Sequence, residues 1–308
     1  MRRVGREDVI AMSEKRLRKL VDRYRVTSGK GFRLKDHDPA DTGGPLVNHA
    51  ESEAMLADGV RRLADLQELL YPQDQWALLC VFQAMDAAGK DGTIKHVMSG
   101  VNPQGVFVAS FKQPGPEDLS HDFLWRVSRE LPQRGQIGVF NRSHYEEVLV
   151  VRVHPELLTR QHLPPALTGK KVWKQRLEDI ASYEQYLSRQ GFVILKFFLH
   201  LSREEQKRRF LERLETPDKN WKFSAADLAE RDHWDEYMTA YEEAIAGTAA
   251  PYAPWFVVPA DHKWFTRVVV VEAMIAALED LNLHVPDVTA EQREKLAAAK
   301  RALEAEKG

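Results

Sequence analysis

The residues best placed to do chemistry lie in Gln83-Ala84-Met85-Asp86-Ala87-Ala88-Gly89-Lys90-Asp91-Gly92-Thr93, directly after the apolar run Trp76–Phe82. A strand that enters such a loop and leaves it as a helix turns backbone N–H groups and the positive helix end toward an anion. Lys90 then closes over the anion, and Asp86 places an acid inside the loop. The expected chemistry is phosphate binding, through Ala87, Ala88, Gly89, Lys90, Asp91, Gly92, Thr93 and Lys95. The pattern departs from strict G-x-x-x-x-G-K-[ST], because Ala84 replaces the first glycine and Asp91 follows the lysine. An ordinary turn with Gly89 as its left-handed residue explains the glycine, but it leaves Asp86 and Lys90 without a purpose.

A second polar segment follows another short apolar run: Asn141-Arg142-Ser143-His144-Tyr145-Glu146-Glu147 after Ile137–Phe140. A neutral amide at 141 can hydrogen-bond a phosphate oxygen or a metal-bound water, but it carries no charge. Glu146, about one helical turn later, is the natural substitute. The same letters also read as a helix start, with Asn141 or Ser143 as cap and Glu146 in the first turn. The two readings are compatible.

Met85–Lys95, Gly100-Val101-Asn102-Pro103-Gln104-Gly105 and Phe140–Glu146 together resemble the polyphosphate kinase 2 family. Lys219-Asn220-Trp221-Lys222-Phe223-Ser224 and Pro259-Ala260-Asp261-His262-Lys263-Trp264 extend the likeness, in consistent order, over roughly Phe32 to Leu281. Asn141, where many members have aspartate, and Glu146 five residues on are similar to the subgroup acting on both nucleoside mono- and diphosphates. The resemblance implies reversible, Mg²⁺-dependent (or Mn²⁺-dependent) transfer of the terminal phosphoryl of inorganic polyphosphate to AMP and ADP, extending to guanine nucleotides. It implies Asp86, Lys90, Asn141, Arg142 and Glu146 as catalytic residues, with Asp86 and Glu146 toward the metal. Asp86 orients or deprotonates the attacking phosphate oxygen, and Arg142 stabilises charge on the transferred group.

A polyphosphate chain needs a line of cations. Between 142 and 176, Arg142, Arg152, Arg160, Lys170, Lys171, Lys174 and Arg176 outnumber Glu146, Glu147 and Glu156. Lys207, Arg208, Arg209 and Arg213 follow further on. Arg208 and Arg209, intermixed with Glu204, Glu205 and Glu212, read equally as phosphate ligands or as members of surface ion pairs. The eleven histidines show no H-x-x-x-H spacing, so imidazole ligation of a metal is not expected. His121-Asp122 and Asp261-His262 read as capping or supporting groups.

The elements that must position these residues are short apolar runs near 76–83, 105–111, 136–140, 192–200 and 254–259, of the kind buried on both faces of a parallel sheet. Helical segments are expected at about 91–100, 118–131, 144–157, 173–190, 203–215, 224–246 and 263–282. The alternation predicts a P-loop kinase-like α/β fold, a parallel sheet sandwiched by helices with ligands at the carboxyl ends of the strands. Residues 1–75 form a helical and extended arm, in which 51–70 has one apolar face. The core spans 76–283 and includes a helical lid insertion at about 150–185. A charged helix closes the chain over 284–308.

At 308 residues and 44% hydrophobic content the chain can bury a large core. Its 44 Lys and Arg against 46 Asp and Glu give a net charge of −2, which argues against bulk adhesion to nucleic acid or membranes. No apolar run approaches the roughly 20 residues that cross a bilayer. The single cysteine, Cys80, permits no internal disulfide, and a cytoplasmic protein is expected, as a dimer or tetramer. Two other readings remain beside the polyphosphate enzyme: an ATP-dependent small-molecule or nucleoside-monophosphate kinase, and a catalytically idle phosphate-binding module.

Overall fold

The computed structural model describes residues 6–44, 47, 49–217 and 228–306, with side chains from residue 15 onward. Chain order is α1 (Arg6–Tyr24), β1 (Arg25–Val26), α2 (Ser52–Gln73), β2 (Ala77–Ala84), α3 (Lys90–Val97), β3 (Val106–Ser110), α4 (Pro116–Leu119), α5 (Trp125–Arg129), β4 (Ile137–Asn141), α6 (Val150–Val153), α7 (Val172–Arg189), β5 (Phe192–His200), α8 (Arg203–Glu215), α9 (Trp234–Thr248), β6 (Trp255–Pro259), α10 (Lys263–Glu279) and α11 (Ala290–Ala305). The sheet order is β1-β6-β5-β2-β4-β3. All pairs are parallel except β1 with β6. β2 is therefore central, and each of the five apolar runs became a strand.

Period-two alternation explains how one strand serves two cores. Leu78, Cys80 and Phe82 pack with Phe197, Val258, Leu63 of α2, Val97 of α3 and Val269 of α10. Leu79 and Val81 point the other way, to Phe198, Val257, Ile180 of α7 and Ile245 of α9. Truncating Phe197, which is fully buried and stacked between Phe82 and Phe256, should cost about 3–5 kcal/mol. Cys80 lies in this core as a free thiol, and burial pushes its pKa up, so it is unreactive.

Two expected helices differ. The segment 118–131 splits into α4 and α5, because the Asp122 carboxylate accepts from Leu124 N at 2.9 Å in a local turn that competes with the helix. The segment 144–157 breaks into a 3₁₀ turn (His144–Glu147), the short α6 and a second 3₁₀ stretch (Pro155–Gln161). Valines at 148, 150, 151 and 153 and the proline at 155 disfavour a continuous helix there. The start of the helix expected over 224–246 lies outside the described residues, as does the Lys219–Ser224 motif. The two-residue β1 carries too little pattern to be read from sequence.

Parallel register brings the two polar segments to one edge. Phe82 pairs with Asn141 on one side and with Phe197 on the other, so the loop after β2 and the segment after β4 emerge side by side.

Candidate active site

The loop after β2 is held in an unusual backbone. Ala87 has φ 64° and Gly89 φ 93°; the second suits glycine, while the first is sparsely populated by other residues. Clamps from α8 keep it there. The Arg209 guanidinium donates to the carbonyls of Ala87 and Ala88 at 3.0 Å each, to Ala260 at 2.6 Å and Asp261 at 3.0 Å, and to Glu205 at 2.7 Å. Gln206 donates to the Asp86 carbonyl at 2.9 Å. α3 starts after Gly89, with Thr93 N bonded to Gly89 O at 2.9 Å, so its first-turn amides have no partner within the helix and face the loop.

Asp86, Arg142 and Glu146 meet here. Arg142 lies 3.6 Å from the Asp86 carboxylate and 3.6 Å from that of Glu146. The backbone aims it: Arg142 also has φ 64°, and its N–H donates to Phe82 O at 3.1 Å. Burial opposes the Arg142 charge, yet Glu146 and Asp86 outweigh it and hold its pKa above the ordinary value. Burial raises the Glu146 pKa, against the attraction of Arg142 and Lys90 and a hydrogen bond from Gln83.

Lys90 donates to the Asn141 side-chain oxygen, and Asn141 Nδ2 donates to Asp91 at 2.8 Å. Burial lowers the Lys90 pKa; Asp91 opposes that shift and Arg142 adds to it. Five separated residues, Asp86, Lys90, Asn141, Arg142 and Glu146, thus form one charged cluster at the carboxyl edge of β2 and β4. Two carboxylates and an amide offer only hard oxygen donors, which suits Mg²⁺ or Mn²⁺. Among the described residues no group of three or more acidic, histidine or cysteine side chains could hold an ion alone, so phosphate and water oxygens must complete any coordination here.

Other expected phosphate contacts fall elsewhere. Arg209 is 5% exposed and every donor is already bonded to protein, so it supports the loop rather than meeting phosphate. Arg208 is an exposed partner of Glu205 and Glu212. Lys95 is exposed on the second turn of α3, Gly92 lies in its first turn, and Thr93 is buried. Asp91 turns its carboxylate to Asn141, leaving its backbone as the part suited to an anion.

The basic stretch 142–176 is more neutral than its composition suggests. Arg152 is bidentate to Glu243 at 2.5 and 2.7 Å, Lys174 pairs with Glu178, and Arg176 is buried on Glu147 at 3.0 Å. Arg160, Lys170 and Lys171 are exposed. Glu243 comes from α9 and Glu178 from α7, both outside the stretch counted, while Glu147 is inside it but is brought onto Arg176 only by folding. Two residues escaped the sequence reading. Gln83 bridges the segments by donating to Ser143 Oγ at 3.0 Å. Lys263, at the start of α10, has its Cγ 4.0 Å from where a Cβ on Gly89 would stand, which adds a cation beside the loop. The quoted Asp261–Trp264 motif contained that lysine without showing which way it faced.

A cleft of about 460 Å³ opens beside Glu147 and Arg176, between the α4–α5 region and the segment 161–179. Phe123, Leu163 and Leu167 supply apolar walls, and Asp118, Asp122 and Asp179 line it with carboxylates.

A central strand running into an anion loop, a five-strand parallel core and a charged cluster at its carboxyl edge define a P-loop kinase-like α/β protein. The family model for polyphosphate kinase 2 matches residues 47–286, and the chain belongs to that family. It is 49% identical over 275 residues to the ADP-polyphosphate phosphotransferase of Rhodopseudomonas palustris, covering 87% of this chain and 95% of that one. It is 46% identical over 266 residues to the AMP/ADP-polyphosphate phosphotransferase of Meiothermus ruber, covering 86% and 96%. The crystal structure of polyphosphate kinase 2 from Arthrobacter aurescens superimposes with a TM-score of 0.81 at 40% identity, covering 91% of this chain and 96% of that one. None of the described helices is long and apolar enough to cross a membrane.

Proposed function

We propose that this protein transfers the terminal phosphoryl group of inorganic polyphosphate to AMP and ADP, and runs the reaction in reverse. The carrying observation is Arg142 standing 3.6 Å from both Asp86 and Glu146 beside the Lys90 loop. An acceptor phosphate oxygen attacks the terminal phosphorus, a new P–O bond forms, and the bridging P–O bond breaks to leave the chain one unit shorter. Such a transfer needs in-line placement and charge neutralisation more than covalent help. Lys90 and the loop amides hold donor phosphates, Asp86 orients the attacking oxygen, and Arg142 stabilises charge on the group in flight.

Asp86 and Glu146 are the residues that would hold Mg²⁺. The ion, when bound there, would supply positive charge that offsets the charge of the phosphates. The cleft beside Glu147 suits the acceptor's nucleoside: its volume accommodates one, Phe123 offers a ring face, and its carboxylates can accept from an exocyclic amino group. That preference points to adenine, and to guanine through its 2-amino group.

The donor is tested by incubating purified protein with AMP, Mg²⁺ and either polyphosphate or ATP, then separating nucleotides by chromatography. ADP and ATP formed with polyphosphate alone support the assignment. Transfer only from ATP would convert the protein to an ordinary nucleotide kinase, and no transfer from either donor would leave a binding module.

A further inference from the structure

A buried polar assembly lies under the turn that carries Glu146. Lys196 of β5 is fully buried, and its ammonium donates to Glu184 Oε2 at 2.5 Å, to Thr248 O at 2.8 Å and to the Tyr145 hydroxyl at 3.2 Å. Glu184 belongs to lid helix α7. Its other oxygen accepts from the Tyr145 hydroxyl at 2.8 Å. Thr248 Oγ1 stands 2.9 Å from the same hydroxyl, but its own hydrogen goes to Ala244 O at 2.7 Å and it accepts from Trp255 Nε1 at 2.9 Å. The single Tyr145 proton therefore favours the charged acceptor, Glu184.

An ion pair buried this deeply adds little stability over an apolar pair of the same shape, because both charges must be desolvated. What it fixes is position. Tyr145 and Glu146 are neighbours in one 3₁₀ turn. That turn is tied to β2 through Gln83 and Ser143 Oγ, which also accepts from Tyr145 N at 3.1 Å. It is tied to β5 through Tyr145, and to α7 both through Tyr145 on Glu184 and through Glu147, whose carboxylate and carbonyl accept from Arg176 at 3.0 and 3.1 Å.

We propose that Tyr145 and Glu184 are positioning residues for the reaction: they couple the seating of lid helix α7 to the placement of Glu146 against Arg142. The inference rests on the role given to Glu146 above. Neither residue touches the reacting phosphates; each acts through the turn at 143–147.

The test uses the full chain carrying Tyr145→Phe, which deletes one hydroxyl and keeps the ring. Steady-state kinetics, thermal unfolding and amide hydrogen exchange are measured together. The expected result is a kcat with AMP lowered by about tenfold or more, as misplacement of a reacting group costs. KM for polyphosphate should stay within about twofold, while amides 145–149 exchange faster. The double variant Lys196→Met with Glu184→Leu keeps the packing without the charges, and should fold and be equally slow. Unchanged kcat in Tyr145→Phe overturns the proposal, whether or not exchange changes. So does a lower kcat with unchanged exchange, or a lowered melting temperature with full activity per folded molecule. If wild type itself transfers nothing from polyphosphate, the functional assignment fails instead, and the exchange measurement still decides the coupling.

Discussion

The Lys90 ammonium is hydrogen-bonded to the Asn141 side-chain oxygen, 51 residues away in sequence, and Asn141 passes its own N–H to Asp91. Asn141 thus holds the loop lysine without neutralising it. An aspartate there would pair with Lys90 as a full charge.

Lys90→Ala should abolish transfer, and Lys90→Arg should not restore it, because a planar fork cannot replace a compact ammonium in a space this enclosed. Phosphoryl transfer from polyphosphate to AMP by both purified variants checks this. An arginine variant retaining most activity would place Lys90 outside the reaction.

Asp86→Asn keeps the size of the side chain and removes a charge that stands 3.6 Å from Arg142. Turnover should fall by about a hundredfold or more, with an unchanged melting curve. Wild-type rates would remove Asp86 from the mechanism.

Glu146→Ala should depress AMP phosphorylation far more than ADP phosphorylation. AMP lacks a β-phosphate, so more of the negative ligand set must come from protein. Asn141→Asp should shift preference toward ADP. Burial raises the Glu146 pKa and lowers that of Lys90, so the window in which one is ionised and the other protonated narrows from both sides. The acid limb of kcat/KM for AMP should lie above the ordinary glutamate range and vanish in Glu146→Ala. Equal losses with both acceptors would reduce Glu146 to a turn residue.

Arg209→Lys should cost at least about tenfold in kcat/KM, since one ammonium cannot reach both the loop carbonyls of Ala87 and Ala88 and those of Ala260 and Asp261 after β6. Arg208→Ala, on the exposed side of α8, should stay within about twofold. Reversed sensitivities would show that Arg208 is the phosphate contact and Arg209 is not.

Glu272 of α10 lies buried against Arg62 of α2 at 3.3 Å, and burial pushes its pKa up to about 7 despite that arginine. The unfolded chain releases this proton near the ordinary value of 4.5, while the folded chain keeps it to about 7. The folded state binds more protons across that interval, so this group's contribution to stability falls as pH rises from about 4.5 to 7, and then levels off. Glu272→Gln should therefore raise the melting temperature by a few degrees at pH 8 and change it little at pH 4.5, as read by calorimetry. Parallel melting curves for the two proteins across pH would show that Glu272 is ionised normally.

The five core strands and the strand–loop–helix segment that carries Asp86 and Lys90 were legible in the linear order, because strand burial and loop chemistry are local patterns of a few residues. Family motifs added Asn141, Arg142 and Glu146. Neighbouring letters could not reveal what the tertiary structure decided. Arg208 and Arg209 are adjacent, yet helical geometry sends one to solvent and the other under the loop. Arg152 and Arg176 look like polyanion ligands until Glu243 and Glu147 are brought against them. Lys196 sits within an apolar strand, and only folding supplies Glu184 from α7, Thr248 from α9 and Tyr145 from the turn after β4. Local sequence determines which groups are present and how each segment winds. Which charges remain available for a substrate depends on long-range neighbours, since a charge satisfied by the protein is no longer offered to a ligand.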